Sequence, residues 1–203
     1  MTQYGFHFDG KRCTGCKTCV LACKDNKDLS AEISFRKVYE YGGGTWSQSD
    51  GLWSNDAFGY YVSVACNHCD SPACMAKCPQ GAISKDPDTG IVNNDPEKCI
   101  GCGTCAIACP YSAPKVDEEK KKAVRCNGCA ERVAAGEKPV CVEACPARAL
   151  DFGDAEEMAK MGERGNIAPL PDPSETTPNI FIKASADAQP VGAAEIANPL
   201  EVA

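Results

Sequence analysis

The sequence has few of the residues that fill an ordinary protein interior and lacks the long apolar runs that cross a membrane. Aromatic residues make up 7 % of the 203 residues, whereas glycine (18) and proline (14) are plentiful. No stretch approaches the eighteen or so apolar residues that a membrane-spanning helix needs. We therefore expect no direct membrane span, and we expect something other than packed side chains to fill part of the interior.

The sequence also has fewer basic than acidic residues. Lys and Arg number 21 against 28 Asp and Glu, a net charge of −7, so no basic face is expected to neutralise the phosphates of a nucleic acid. The segment from Met1 to Asp9 has no basic or apolar signal region and no twin arginine. On this basis we expect the chain to be made and kept in the cytoplasm, where thiols stay reduced.

Motifs of substrate-converting enzymes are missing as well. The sequence has no nucleophile elbow, no phosphate-binding Walker loop and no dinucleotide fingerprint. The triple glycine at 42–44 does not open a predicted helix. We therefore predict no catalytic site in this chain.

What the sequence does have is cysteine, 16 residues in four blocks of four with none left over. The blocks are Cys13, Cys16, Cys19 and Cys23; Cys66, Cys69, Cys74 and Cys78; Cys99, Cys102, Cys105 and Cys109; and Cys126, Cys129, Cys141 and Cys145. Blocks one and three show the C-x₂-C-x₂-C-x₃-C run of bacterial ferredoxins, and a proline follows block three. Eleven residues separate the two halves of block four.

This spacing suits iron–sulfur clusters. Two residues between cysteines let a tight loop place successive sulfurs on neighbouring corners of one cubane, and Gly15, Gly101 and Gly103 suit such a loop because glycine lets the backbone wrap closely. In two-cluster ferredoxins the last cysteine of a run binds the other cluster. We therefore predict four [4Fe–4S] clusters. The blocks are expected to form pairs in which each block supplies one cysteine ligand to the cluster of the other.

The segment between blocks two and three indicates which blocks pair. It predicts a strand at Ile83, a turn at Asp88–Thr89–Gly90 and a second strand opening at Ile91 and Val92, which is the layout of a two-cluster ferredoxin. Blocks one and four then pair across the ends of the sequence. In support, CPARALDFG after block four repeats CPQGAISKD after block two.

The predicted fold class is α+β, a doubled ferredoxin-like fold in which one two-cluster unit is nested inside the other. The predicted parts are an outer unit of residues 1–35 and 111–153, a hairpin insertion of residues 36–62, an inner unit of residues 63–110 and an extended tail of residues 154–203. Ile33 to Tyr41 and Phe58 to Ala65 are the predicted strands of the hairpin. Trp46 and Trp53, near its turns, are expected to cap a small core; contact with a partner is the alternative.

The tail changes character from about Asp154. A short helix is predicted around Ala155 to Met161, and the proline-rich sequence that follows has little to bury by itself. Disorder and extended wrapping over a partner subunit both remain open, and the apolar run Ile180–Phe181–Ile182 favours wrapping.

Several other side chains lie near the cysteine blocks. His68 stands between two cysteines of block two, which already has four ligands, so we expect a hydrogen-bond donor or a solvated side chain rather than a ligand. The basic residues close to the blocks are Lys11, Arg12, Lys17, Lys24, Arg125, Arg132 and Arg148. They either offset cluster charge and raise reduction potentials or form ordinary solvated surface, which we expect for most of them.

Two other interpretations of the cysteines are weaker. Disulfides need an oxidising compartment, and cysteines three apart bridge poorly. Zinc ribbons use two separated C-x₂-C pairs rather than four-cysteine runs that end in proline. A free polyferredoxin that shuttles between soluble enzymes is the main functional alternative.

The order of the blocks, with the fourth one split, resembles the iron–sulfur B subunits of the dimethyl sulfoxide reductase family. The resemblance extends through QYGF, RCTGCKTC, ACKD, KDL, YEY, CNHC, PAC, CIGC, ACPY, RALDFG, APLP and PNI, and so covers nearly the whole chain. It implies four ligand sets: Cys13, Cys16, Cys19 and Cys145; Cys126, Cys129, Cys141 and Cys23; Cys66, Cys69, Cys74 and Cys109; and Cys99, Cys102, Cys105 and Cys78. Some relatives replace the residue at Cys102 and carry a three-iron cluster there; this sequence keeps Cys102.

The resemblance also implies partners. They are a molybdopterin catalytic subunit and a quinol-oxidising membrane subunit, and the protein would relay electrons from one to the other. Complexes of this family can be exported with a signal on the catalytic subunit alone. We therefore expect membrane association through the partners, with the side of the membrane left open. Related B subunits serve enzymes for other substrates, so the terminal substrate stays open as well.

Overall fold

The computed structural model describes residues 2–192 and 196–202 as short helices and strands joined by long loops. The helices are α1 (Thr18–Asn26), α2 (Ala73–Ala76), α3 (Thr104–Ala108), α4 (Ala130–Ala134), α5 (Val140–Glu143) and α6 (Ala155–Ala159). The strands are β1 (Tyr4–Asp9), β2 (Lys37–Gly43), β3 (Trp46–Ser49), β4 (Leu52–Asn55), β5 (Phe58–Val64), β6 (Ile83–Lys85), β7 (Val92–Asn94), β8 (Lys115–Asp117), β9 (Lys122–Val124), β10 (Leu150–Asp154), β11 (Glu163–Arg164) and β12 (Ile180–Lys183). Two 3₁₀ turns lie at Pro173–Glu175 and Pro199–Glu201. The predicted mixed α and β content is confirmed.

A four-stranded sheet joins segments that are far apart in the sequence. Its order is β10–β1–β12–β11, with β1 antiparallel to β10 and parallel to β12. Phe6 of β1 lies opposite Phe152 on one side and Ile180 on the other. Phe6 and Phe8 lie on one face of β1 in the core, and His7 and Asp9 on the other face are buried as well. The first strand, the segment after block four and the tail therefore share one core.

Four two-stranded hairpins complete the described sheets: β2 with β5, β3 with β4, β6 with β7, and β8 with β9. The β6–β7 hairpin confirms the strand, turn and strand predicted between blocks two and three, and Gly90 in its turn is left-handed at φ 67°. The predicted pairing of β2 with β5 is also confirmed, although β2 begins at Lys37 rather than Ile33.

The tail packs on its own chain, which corrects part of the expectation for it. The run Ile180–Phe181–Ile182 forms most of β12 and is buried in the sheet, so its apolar character does not point to a partner. Farther on, the Ala197 N–H donates to Glu40 O over 2.8 Å, along β2. The helix predicted from Ala155 is confirmed and ends at Ala159. Disorder is wrong for the described tail; residues 193–195 and Ala203 lie outside the described part.

The short helices place cysteines at the ends of tight loops. Lys17 and Gly103, which immediately precede α1 and α3, are both left-handed, with φ of 60° and 75°. This conformation turns the backbone sharply from loop into helix, and Cys19 and Cys105 follow within the first turn. Within the described ranges, no helix combines the length and the apolar character that crossing a membrane requires.

Candidate metal centres

The sixteen cysteines all lie in the described part of the protein, and none of them forms a disulfide. In that part, three small cavities each have four cysteines in their walls. We name the groups by one member: the Cys16 set (Cys13, Cys16, Cys19 and Cys145), the Cys69 set (Cys66, Cys69, Cys74 and Cys109) and the Cys102 set (Cys78, Cys99, Cys102 and Cys105). Each set takes three cysteines from one block and the fourth from another.

The remaining cysteines form the Cys23 set, which comprises Cys23, Cys126, Cys129 and Cys141. Cys23 lies on α1 and Cys141 on α5, and these two helices pack against each other. Cys23 interacts electrostatically with Cys141 and Cys129, and Cys126 interacts with Cys66 of the Cys69 set as well as with Cys141 and Cys23. The four thiols therefore lie close together, again with three from one block and one from another.

The cysteines of the Cys16, Cys69 and Cys102 sets surround a space rather than converge on a point. Among the described residues, no group of three or more His, Cys, Asp or Glu side chains is placed to hold a single metal ion. A more open cavity has no cysteine in its wall. This wall includes Asp9 and Asp151, which pair with surrounding Arg and Lys side chains. Four soft thiols around a common space are the donor set of a cubane cluster, so these residues fit a [4Fe–4S] group.

The loops of blocks one and three share the same geometry at equivalent glycine, cysteine and threonine positions. Gly15 and Gly101 are left-handed, with φ of 68° and 70°. Cys16 Sγ lies 3.4 Å from Thr18 Oγ1, and Cys102 Sγ lies 3.3 Å from Thr104 Oγ1. Both cysteines are exposed. The hydrogen bonds from the two threonines lower the pKa of each thiol, which favours the thiolate that binds iron.

Backbone N–H groups point at several of the sulfurs. Ala82 N–H donates to Cys78 Sγ and Ala149 N–H donates to Cys145 Sγ, each over 3.3 Å and each four residues after its cysteine. These bonds lie at equivalent positions of the two sequence repeats, CPQGA and CPARA. Hydrogen bonds to cluster sulfurs tune reduction potentials.

Burial keeps other thiols protonated until they bind metal. It raises the pKa of Cys23 to about 11 and that of Cys69 to about 12. It also raises the pKa of Cys126 well above its usual value. Because a thiolate is the iron ligand, these thiols must release protons when metal binds, which couples metal binding to folding and to pH.

His68 is buried, so the solvated alternative is wrong. The predicted donor role is not found either, because its Nε2 has no hydrogen-bond partner among the described atoms. Its Nδ1 accepts a hydrogen bond of 3.1 Å from the Val92 N–H, which places the ring proton on Nε2. Burial, followed by the charges of Arg125 and Lys85, lowers the pKa of His68 to about 3, so the imidazole is neutral. It holds the β7 strand against the loop of block two.

Two of the basic residues near the blocks, Lys24 and Arg125, lie in different surroundings. Lys24 donates to the carbonyls of Ser30, Ala31 and Ile33 over 2.7 to 3.0 Å and so holds a loop. Arg125, in contrast, is buried and lines the cavity of the Cys69 set. A second buried arginine, Arg36, was not identified from the sequence. Arg36 immediately precedes β2 and lies two residues before the buried Val38. Because residues two apart in an extended segment share a face, this position is the sequence feature that indicates its burial.

The two tryptophans are exposed. Trp46 is 68 % and Trp53 is 64 % accessible, on a β3–β4 hairpin whose residues are all exposed. The expectation that they cap a core is therefore wrong. Their contact with a partner stays a prediction.

Comparison with known proteins agrees with this arrangement. Residues 57–155 match the family described as 4Fe-4S dicluster domain, and residues 11–30 match the family described as 4Fe-4S binding domain. The sequence is 53 % identical over 204 residues to the B subunit of the anaerobic dimethyl sulfoxide reductase of Escherichia coli (strain K12), covering 99 % of each protein. It is 50 % identical over 206 residues to the B subunit of the same reductase of Haemophilus influenzae, covering 100 % of each.

A relative that is named as a subunit of a different reductase is less similar to this chain. The thiosulfate reductase electron transfer subunit of Salmonella typhi is 38 % identical over 156 residues, which cover 76 % of this chain and 78 % of that protein. Identity of 50 % or more over the full length confirms the predicted resemblance. The chain therefore belongs to the family of B subunits of anaerobic dimethyl sulfoxide reductases and is an electron-transfer subunit that carries [4Fe–4S] clusters rather than the catalytic subunit.

Proposed function

We propose that the protein relays electrons from a quinol-oxidising membrane subunit to a molybdopterin catalytic subunit in a dimethyl sulfoxide reductase-type complex. The observation that carries the proposal is the sharing of cysteines between blocks. Cys145 lies with block one, Cys109 with block two and Cys78 with block three, which is the exchange expected of paired ferredoxin clusters. The near full-length relatives named as B subunits of this reductase support the identity of the complex.

The four cysteine sets are proposed to hold four [4Fe–4S] clusters. The ligands are Cys13, Cys16, Cys19 and Cys145; Cys23, Cys126, Cys129 and Cys141; Cys66, Cys69, Cys74 and Cys109; and Cys78, Cys99, Cys102 and Cys105. Such clusters supply one-electron transfer, at potentials that depend on charge, hydrogen bonds and exposure.

The contacts between sets support a linear order. Cys19 of the Cys16 set interacts electrostatically with Cys141 of the Cys23 set. Cys126 of the Cys23 set packs in one buried cluster with Cys66 of the Cys69 set. Cys105 of the Cys102 set interacts with Cys74 of the Cys69 set. The proposed order is therefore the Cys16, Cys23, Cys69 and Cys102 sets.

The two ends of this order are the proposed points of electron entry and exit. Cys16 and Cys102 are the exposed cysteines, and exposed apolar side chains accompany each end. Ile100 and Ile107 flank Cys102, at 60 % and 88 % exposure, and Leu21 follows Cys16 on α1 at 65 % exposure. Apolar side chains of this kind are typical of contact with a partner. One partner subunit is assigned to each end.

The nested fold is proposed with the boundaries expected from the sequence: outer residues 1–35 and 111–153, inserted residues 36–62, inner residues 63–110 and a tail of residues 154–203. The pairing of β1 with β10 supports the outer unit, because these strands flank blocks one and four. The matching N–H bonds to Cys78 and Cys145 support the duplication. Contact of the tail surface with a partner, and association with the membrane through the partners, belong to the same proposal.

The test is metal analysis of the complex captured anaerobically through this subunit from its native host. About sixteen iron atoms per subunit, four for each of four cubanes, together with molybdenum and a co-purified membrane subunit, support the proposal. The same iron without molybdenum, on a protein that runs as a small monomer in gel filtration, would favour a free polyferredoxin carrier. A colourless, iron-free protein would overturn both functions.

A further inference from the structure

Two arginines lie in the protein interior without an acidic partner. Arg36 is 1 % exposed and Arg125 is 7 % exposed. Within residues 2–192 and 196–202, neither forms an ion pair with Asp or Glu. A buried charge is strongly unfavourable unless an opposite charge compensates it, and a guanidinium cannot escape by losing its proton. The compensating negative charge must therefore come from elsewhere.

Arg36 lies between the Cys16 and Cys23 sets. Its Nη1 donates to Ser63 Oγ over 3.1 Å, and Ser63 Oγ lies 3.5 Å from Cys19 Sγ, in the wall of the Cys16 cavity. The guanidinium carbon stands 4.7 Å over the ring of Phe6, which fixes its position. Nε and Nη2 make no hydrogen bond to described oxygen or nitrogen atoms.

The ionisable neighbours of Arg36 are cysteines of both sets. Burial by itself lowers the pKa of Arg36, but Cys141, Cys19 and Cys126 raise it above its usual value. Cys19 belongs to the Cys16 set, and the other two belong to the Cys23 set. One guanidinium thus faces two cysteine sets.

Arg125 occupies the corresponding place in the other pair. It lines the cavity of the Cys69 set, and its Nη1 and Nη2 have no hydrogen-bond partner among the described oxygen and nitrogen atoms. Burial by itself lowers the pKa of Arg125. Cys66, Cys74 and Cys105 raise it by more, so that the pKa of Arg125 is above its usual value. Cys105 belongs to the Cys102 set, so Arg125 lies between the two inner sets.

We propose that Arg36 and Arg125 are the internal countercations of the two cluster pairs, and that each raises the reduction potentials of the two clusters beside it. This inference rests on the four ligand sets of the proposed function. Adding an electron makes a cluster more negative, and a fixed cation in a poorly polarisable interior stabilises the reduced form more than the oxidised form. Each arginine acts mainly on the pair it contacts, because the Coulomb interaction weakens with distance.

The test is a redox titration, followed by electron paramagnetic resonance, of the anaerobically purified complex. Arg36→Gln is expected to make reduction of two clusters at least about tenfold less favourable, a shift of about 59 mV to lower potential for one electron. Arg125→Gln is expected to lower the other two. The matched control is Arg12→Gln, which removes an arginine next to Cys13 whose side chain is 61 % exposed; solvent screening leaves the potentials close to wild type.

Iron content separates this inference from the proposed function. Full iron with unshifted potentials in both glutamine variants would overturn the inference and leave the function standing, whereas a wild-type complex without four clusters would overturn the function. Arg36→Lys retains the charge and is expected to restore most of the shift. If the lysine variant assembles with potentials as low as those of the glutamine variant, or if both arginine variants shift the same clusters, the charge is not the cause and the inference is wrong.

Discussion

Gly101 and Gly103 offer a matched test of why the cluster loops need glycine. They stand two residues apart in CIGCGTC, and both are left-handed, with φ of 70° and 75°. A Cβ at Gly101 would lie 2.3 Å from Lys121 O and 2.8 Å from the carbonyl carbon of Lys121. A Cβ at Gly103 would meet only Val116 Cγ2, at 3.7 Å. The two positions therefore share the backbone conformation and differ in the space around it.

The expected costs follow from this difference. A left-handed conformation costs a non-glycine residue about 1–2 kcal/mol, which is the whole expected penalty for Gly103→Ala. Gly101→Ala carries the same penalty and must also displace the backbone between β8 and β9, which adds at least the ~1–3 kcal/mol of an overpacked site. The loop that presents Cys99, Cys102 and Cys105 would have to move with it.

The assay is iron content together with the apparent thermal midpoint of the anaerobic protein. Gly103→Ala should retain all its iron and lower the midpoint by roughly 2–8 °C, because ~1 kcal/mol corresponds to ~2–4 °C in a protein of this size. Gly101→Ala should lower the midpoint further and lose about four iron atoms, those of one cubane. Equal losses in the two variants, or full iron in Gly101→Ala, would refute the steric explanation.

Three further predictions concern the core, a ligand and a loop. Ile180→Ala should destabilise the isolated protein by about 2–5 kcal/mol, whereas Leu52→Ala, at a side chain 75 % exposed, should stay within about 0.5 kcal/mol; similar denaturant midpoints for the two would contradict the placement of β12. Cys23→Ser should remove or convert one cluster signal in paramagnetic resonance spectra, and four unchanged signals would exclude Cys23 as a ligand. Lys24→Met should lower the unfolding midpoint, because three carbonyls lose their donor, with cluster potentials unchanged; a potential shift as large as that of Arg36→Gln would show that Lys24 acts by its charge instead.

The local features of the sites could be predicted from the sequence because they depend on residues close together in it. The C-x₂-C spacing with Gly15, Gly101 and Gly103 indicates tight cluster loops, and the three glycines are indeed left-handed. The β6–β7 hairpin followed from its turn residues. The helix after Asp154 followed in the same way, and the Asp154 side chain accepts a hydrogen bond from the Glu156 N–H.

The features that the sequence did not reveal depend on segments that are far apart in it. The run Ile180–Phe181–Ile182 shows that something covers it, but not whether that surface belongs to this protein or to another; the tertiary structure pairs it with β1. Trp46 and Trp53 resemble core residues by type, and only the position of their hairpin leaves them exposed. Arg36 resembles an ordinary charged residue near a strand. It is buried because Phe6, Ser63 and the cysteines of two blocks meet around it, and only the tertiary fold brings them together.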